Sequence, residues 1–353
     1  MDEQFAIDVM TGRKRGLGPT LLRAGCEVAS WGYAAAISAR NVGYDRRWLQ
    51  SHSVDAPVIS VGNLTTGGTG KTPVTAYLAA ELAARGFRPG IVSRGYRSLN
   101  DSQNDEQMVL AQLLPGVPQV RDRDRVRGAH KAIREQGCDL ILLDDGFQHR
   151  RLRRDLDFVL IDATRPWGFD RLLPRGLLRE SKRGLARADV VLITRCDQAS
   201  ASELGEIHRE LTRWGATAAR VDVRFAPQRL RNAAGEFRPL ALLKSERPLA
   251  FCGIGNPTGF QRLLRGLGLD TEPTAFPDHH HYGPDDFRRL KELADAAQAT
   301  CFVTTQKDLV KFPHPELAGR PVWAVEIAVE ILAGGDCLEQ AWSRLPLPRR
   351  AAA

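Results

Sequence analysis

The feature that most restricts this chain is "VGNLTTGGTGKTP", residues 61–73. An apolar run, "PVISVG" at 57–62, leads into it, and a helix-compatible run at 72–85 leaves it. A glycine-rich turn between a strand and a helix aims backbone N–H groups and the helix N-terminus at one point, as a polyphosphate requires. Gly67, Gly68 and Gly70 permit the turn, Lys71 can reach the β and γ oxygens, and Thr72 can ligate Mg2+. The strict pattern asks for Gly, four residues, then Gly-Lys-Ser/Thr. Thr65 stands where that first Gly would be. Pro73 suits the first turn of a helix, where its missing N–H costs little. The candidate ATP contacts are Thr65, Thr66, Gly67, Gly68, Thr69, Gly70, Lys71 and Thr72.

The following sequence alternates strands and helices. Strands are expected at "PGIVSRGY" (89–96), "CDLILLDDG" (138–146), "FVLIDA" (158–163) and "DVVLITR" (189–195), with helices at 122–136 and 202–214. Continuous apolar strands separated by helices predict a mainly parallel sheet covered on both faces, a P-loop NTPase-like α/β fold. Residues 220–245 change character: "RVDVRFAPQRL", "NAAGE" and "FRPLALL" read as a β-hairpin linker. Beyond it come strand "LAFCGIG", helices 257–266 and 284–297, and strands "TCFVTT" and "PVWAVEIAVE", a second, smaller α/β domain. The expected organisation is an amphipathic helical segment (1–45), a P-loop core (46–219), the linker (220–245), the smaller domain (246–345) and a tail (346–353).

In "LILLDDGFQHRRLRRD" (140–155), four apolar residues run into Asp144 and Asp145 at a strand end. Carboxylates placed so, opposite the glycine loop, hold Mg2+. Gln148 and His149 lie one turn on and can orient phosphate or substrate. In "NDEQ" (104–107), Asp105 and Glu106 can be a base and a metal partner, but the residues alone favour a solvated helix start. The three histidines of "FPDHHHYGPDD" (276–286) point in different directions, and no Cys/His cluster completes a zinc site.

The net charge of +8 and pI near 9.4 point to anionic partners without choosing among them. Basic runs at Arg121/Arg123/Arg125/Arg127, at Arg150/Arg151/Arg153/Arg154 and across 165–195 flank the proposed metal strand, which suits an anionic substrate. Nucleic acid would call for interleaved aromatics, and these are 7% and scattered. The six cysteines form no C-x-x-C pair and fit a reducing cytosol. The N-terminus lacks a secretory pattern. The stretch nearest to a membrane span, Pro19 to Val42, contains Arg23 and Glu27. As a helix it is amphipathic: Leu21, Ala24, Val28, Trp31, Ala35, Ala39 and Val42 share one stripe, and Arg23, Glu27, Ser30, Ala34 and Asn41 another. The residues alone favour a helix packed on the core. Flanking Arg13, Lys14, Arg15, Arg46 and Arg47 keep a membrane-surface helix open.

With "VGNLTTGGTGKTP", "SRGY", "DDGFQHRRLRRDLD", "GLLRE", "FPDHHHY" and "TTQKD" in this order, roughly residues 15–330 resemble the tetraacyldisaccharide 4'-kinase family. The resemblance implies ATP- and Mg2+-dependent phosphorylation of the 4'-hydroxyl of a tetraacylated glucosamine disaccharide 1-phosphate in lipid A biosynthesis. It also implies a peripheral enzyme on the cytoplasmic face of the inner membrane. Its partners would be the lipid substrate and the membrane surface, with no nucleic acid and no protein partner expected. By motif, Lys71 and Thr72 would bind ATP and Mg2+, with Asp144 and Asp145 near the metal. "NDEQ" is similar to the family's "GDEP", with Asn104 and Gln107 in place of Gly and Pro; Asp105 would be the catalytic acid/base and Glu106 a metal-site residue. His279 of "FPDH" would partner Asp105, and Glu180 of "GLLRE" would join the metal site. Asp105 and His279 fall in different expected domains, so a hinge closure is expected to assemble the site. The alternative is a P-loop ATPase switch of the partitioning or metallochaperone type, without a lipid acceptor. A nucleic-acid-binding protein is a third reading, motivated by charge alone.

Overall fold

The structure, a computed structural model, describes residues 3–94, 105–312 and 314–347. Gly95 and Tyr96 of "SRGY", and Asn104 of "NDEQ", lie outside the described residues.

The first elements are α1 (Glu3–Thr11), α2 (Leu17–Asp45), β1 (Val58–Asn63), α3 (Lys71–Ala84), β2 (Pro89–Ser93), α4 (Asp105–Leu113), β3 (Gln119–Arg121) and α5 (Arg125–Gln136). Next come β4 (Leu140–Asp144), β5 (Leu156–Asp162), β6 (Val190–Thr194), α6 (Ala201–Arg213), β7 (Ala219–Arg231), β8 (Phe237–Arg238), α7 (Leu242–Ser245) and β9 (Pro248–Cys252). The last are α8 (Pro257–Gly266), β10 (Thr274–Ala275), α9 (Pro284–Ala296), β11 (Cys301–Thr305), α10 (Gln306–Leu309), β12 (Glu316–Leu317), β13 (Arg320–Ala333) and α11 (Gly335–Trp342).

The chain divides into two compact units. The first comprises Met1–Tyr96, Val117–Arg224 and Ile331–Ala353; the second comprises Arg97–Gly116 and Phe225–Glu330.

In the first unit the strand order is β3-β2-β4-β1-β5-β6-β7, all parallel. The strands read as apolar runs because helices cover both faces. Side chains alternate between faces. Val159, Ile161, Val191 and Ile193 pack with Ile207 and Leu211 of α6, while Val58, Ile141 and Leu143 pack with Ala129 and Ala132 of α5. Phe158, one residue out of phase, stacks on Trp342 of α11 at 5.3 Å between ring centroids. After β4 the chain crosses β1 to form β5. Such a reversal of strand order opens a crevice at the C-terminal strand ends. The glycine loop leaves β1 there.

The second unit has the order β10-β9-β11-β13, also parallel. Ala250, Cys252 and Val303 pack with Phe260 and Leu264 of α8, and Phe251, Phe302 and Ala324 with Leu290 and Ala294 of α9. The expected hairpin is present: β8 pairs antiparallel with the end of β7, Leu230 opposite Arg238, around a turn in which Gly235 has φ 83°. The start of β7, however, is a sheet strand paired with β6, so this stretch is only partly a linker.

Two expectations are corrected. Residues 105–116, placed in the P-loop core by sequence order, cluster with the second unit, because α4 packs on α10 and Arg231 Nη1 donates to the Gln112 carbonyl at 3.0 Å. Asp105 and His279 therefore share one unit, and no hinge is needed to bring them together. The other correction is α2. Its apolar stripe does not pack on the core: Leu21, Val28 and Trp31 are 69%, 61% and 64% exposed, and Ala24, Ala35, Ala39 and Val42 are exposed too. The polar side faces the protein instead. Tyr33 donates to the Arg179 carbonyl at 2.8 Å, Asn41 to Glu180 at 3.3 Å, and Glu27 pairs with Arg175 at 3.3 Å. Among the described residues no helix is long and apolar enough to cross a membrane.

Candidate functional site

The glycine loop is fixed from both sides. Every residue of β1 is buried. A Cβ on Gly62 would stand 2.6 Å from Phe147 Cβ and 2.8 Å from its backbone nitrogen, so only glycine lets β1 approach the segment after β4. Gly67 (φ 112°) and Gly70 (φ 85°) take left-handed conformations that glycine adopts without strain. Outward bonds hold the loop: Thr66 N–H donates to the Leu177 carbonyl (2.8 Å), Thr194 Oγ1 to the Thr69 carbonyl (3.0 Å) and Arg195 Nη2 to the Gly68 carbonyl (2.9 Å). The Thr66 and Thr69 amides are used within the protein, Thr69 N–H donating to the Gly67 carbonyl at 3.0 Å, so among the described residues the loop amides left for an anion are those of Gly67, Gly68 and Gly70. Gly70 precedes α3 without a side-chain cap, so the first amides of α3 remain available too. Thr65 and Thr69 are buried and serve the loop's shape; Thr66 and Thr72 are partly exposed.

Asp144 closes β4 and is the register partner of Val61 in β1. Asp145 follows with φ 51°, a conformation that costs a non-glycine residue on the order of 1–3 kcal/mol. The turn directs its carboxylate at two cations. Arg179 Nη1 lies 2.7 and 2.8 Å from its two oxygens, and Lys71 Nζ lies 3.7 Å from Oδ1. Burial pushes the Asp145 carboxyl up, but Lys71 and Arg179 outweigh it and hold the group below its ordinary range. Lys71 also reaches Asn63 Oδ1 at 3.4 Å. These two contacts fix the Lys71 ammonium between Asp145 and Asn63.

Gln148 and Glu180 meet beside the loop strand. Gln148 Nε2 donates to the Asn63 carbonyl and to Glu180 Oε1, both at 2.9 Å. Glu180 is 1% exposed, and its Oε2 accepts from Arg187 (2.7 Å) and Asn41 (3.3 Å). These bonds tie α2 and Gln148 to this carboxylate, and Gln148 in turn to the loop strand. His149 is pushed down to about 4 by burial, with Arg125 and Arg154 acting in the same direction, so it offers a neutral imidazole rather than a charge to phosphate.

Among the described residues, no group of three or more His, Cys, Asp or Glu side chains can hold a metal alone. Thr72 and the Asp144/Asp145 pair nonetheless fit Mg2+, a hard ion that takes one or two carboxylates and completes its shell with water and substrate phosphates. With both Asp145 oxygens on Arg179, Asp144 is the better placed carboxylate. Glu106, the other expected metal residue, belongs to the second unit.

In that unit Asp105 begins α4, where the helix dipole favours an anion. His279 Nδ1 lies 3.2 Å from Asp105 Oδ2, and Lys311 Nζ lies 2.9 Å from the same oxygen. Burial raises the Asp105 carboxyl, but His279 and Lys311 reverse this and hold it at about 2. Hydrogen bonding to Asp105 in turn raises the His279 imidazole against the effects of burial and Lys307. Asp105 is therefore an ionised carboxylate able to accept a proton. The neighbouring histidine diverges as expected: His280 Nε2 lies 2.9 Å from Asp286 Oδ2, and its ring stacks on Phe276.

The family model for tetraacyldisaccharide-1-P 4'-kinase (LpxK) matches residues 22–345. The chain belongs to the tetraacyldisaccharide 4'-kinase family. A relative of that name from Halothermothrix orenii is 36% identical, covering 89% of each chain. Another, from Geobacter sulfurreducens, is 37% identical over 93% of this chain and 95% of its own. A crystal structure of LpxK from Aquifex aeolicus in complex with ATP superposes with a TM-score of 0.72 at 29% identity, covering 92% of this chain and 99% of that one.

Several partners in these contacts are not among the residues expected from the sequence. Asn63 sits inside "VGNLTTGGTGKTP" and Arg179 inside "GLLRE", next to Glu180. A guanidinium there has a fork suited to a carboxylate, which is the signal available in the motif. Lys307 lies in "TTQKD", and its Nζ is 3.3 Å from His279 Nε2. Lys311 lies four residues further on, past the end of α10 and outside every quoted motif.

Proposed function

We propose that this chain is an ATP-dependent kinase that phosphorylates the 4'-hydroxyl of a tetraacylated glucosamine disaccharide 1-phosphate in lipid A biosynthesis. Family membership and the glycine loop support the donor side. The observation that carries the acceptor side is the Asp105–His279 pair. An ATPase switch, which only changes partners on hydrolysis, has no use for a base that deprotonates an acceptor.

In this reading the acceptor hydroxyl oxygen bonds to the γ-phosphorus while the bond from that phosphorus to the ADP oxygen breaks. Asp105 takes the hydroxyl proton, and ADP leaves with the electron pair of the broken bond. His279 keeps Asp105 ionised and oriented. Lys71 and the loop amides hold the phosphates, and Arg179 keeps Asp145 from capturing Lys71. Thr72 and Asp144 would hold Mg2+, which neutralises phosphate charge when bound.

The exposed stripe of α2 supports a membrane-surface role at the cytoplasmic face of the inner membrane. Leu21, Val28 and Trp31 present apolar surface, Trp48 is 69% exposed beside it, and Arg46 and Arg47 follow. A lipid acceptor would be met there.

The test is transfer from γ-labelled ATP to the acylated disaccharide 1-phosphate, with product mass analysis. One added phosphate at the 4' position is expected, and Lys71→Ala should abolish it in a folded protein. ATP hydrolysis with no phosphorylated lipid would overturn the reading.

A further inference from the structure

Asp105 is held by a second cation that the reaction scheme has not used. Lys311 follows α10, and its Nζ approaches the same oxygen, Oδ2, that faces His279. The side chains of Lys311 and Asp105 are only 7% and 9% exposed. Nζ makes no aligned hydrogen bond among the described residues, so the link is a charge–charge contact, strong because water is excluded. The other acid near Lys311 is Asp308, 3.8 Å away. Asp308 is already satisfied: it accepts from Gly253 N–H (3.0 Å), Tyr282 OH (2.9 Å) and Thr305 Oγ1 (2.7 Å). The turn carrying the lysine is fixed as well. Thr305 caps α10, and Lys311 N–H donates to the Asp308 carbonyl at 3.0 Å. Burying an ammonium is costly unless a carboxylate compensates it, and Asp105, at 2.9 Å against 3.8 Å for Asp308, is the nearer of these two acids.

We propose that Lys311 is a positioning residue for phosphoryl transfer: with His279 it holds one oxygen of Asp105, so that the other is presented to the acceptor hydroxyl. This rests on the reading of Asp105 as the base.

The test is steady-state kinetics of the full-length protein with ATP and the acylated disaccharide 1-phosphate. Lys311→Met keeps the stem and removes the charge. Its kcat should fall about a hundredfold, the scale of a misplaced reacting group, with KM for both substrates nearly unchanged. Lys311→Arg should recover about tenfold of that loss by restoring a cation. In an Asp105→Asn background, Lys311→Met should lower kcat little further, because the lysine acts through that carboxylate. Should Lys311→Met not fold, Lys311→Arg is compared in the two backgrounds instead: an effect on kcat only where Asp105 is present supports the assignment, and equal effects overturn it. If Asp105→Asn is inactive while Lys311→Met has wild-type kcat, the lysine assignment alone fails. If Asp105→Asn keeps wild-type kcat, the base reading fails and the lysine assignment falls with it.

Discussion

His279 Nδ1 lies 3.2 Å from Asp105 Oδ2 across 174 positions of sequence. Each group favours the charged form of the other: Asp105 is held at about 2 and His279 is raised. They should behave as one catalytic unit. Asp105→Ala and His279→Ala are each expected to lose about 10²–10⁴ in kcat, the usual contribution of a positioned base. The double mutant should lose far less than the product of the two. Multiplying losses would mean that the residues act separately.

Arg179 binds both oxygens of Asp145, and Lys71 stands 3.7 Å from one of them. Removing the guanidinium leaves Lys71, 3.7 Å away, as the cation that pairs with that carboxylate and draws it from the phosphates. Arg179→Ala should therefore weaken ATP binding by about tenfold or more, the scale of losing one partner of a charged hydrogen-bonded pair. Titration of a fluorescent ATP analogue measures this, and unchanged affinity would show that Arg179 does not control Lys71.

The pH dependence of stability should carry the mark of His149. Its ordinary value is 6.5, and burial with Arg125 and Arg154 lowers the folded value to about 4. As pH falls below 6.5 the unfolded chain takes up a proton that the folded protein refuses. The stability is thus fully present above 6.5 and is lost as pH falls to about 4. Melting curves across that window should flatten in His149→Gln. An unchanged slope would show that other groups set it.

Much of this was legible in the sequence because the decisive signals are local. The end of a strand, a glycine loop and a lysine occupy thirteen consecutive residues, 61–73, and four apolar residues announce Asp144 and Asp145. What escaped the sequence depends on distant packing. Nothing local says that α4 leaves its sequence neighbours and joins the second unit, where Lys311 meets Asp105. The periodicity of α2 located its stripe correctly but could not say which side faces the protein. Glu27, Asn41 and Tyr33 find partners there, so the apolar side is turned outward. The motif drew attention to Glu180, but its contacts with Arg187, Asn41 and Gln148 come from distant segments and were not legible locally.

Leu21→Ser combined with Trp31→Ser should reduce flotation with anionic liposomes by at least about tenfold, since burying such a side chain is worth roughly 1.5–3 kcal/mol. The melting temperature should stay near wild type, because both side chains are already exposed. A lower melting temperature with unchanged flotation would return α2 to a core role.

The most direct measurement is a single turnover with γ-labelled ATP, excess enzyme and the tetraacylated disaccharide 1-phosphate, run for wild type and Asp105→Ala. Wild type should move the label to the 4' position of the lipid. Asp105→Ala should bind ATP normally and transfer about 10²–10⁴ more slowly. Equal transfer rates in the two proteins, or release of the label to water with none on the lipid in wild type, would contradict the account.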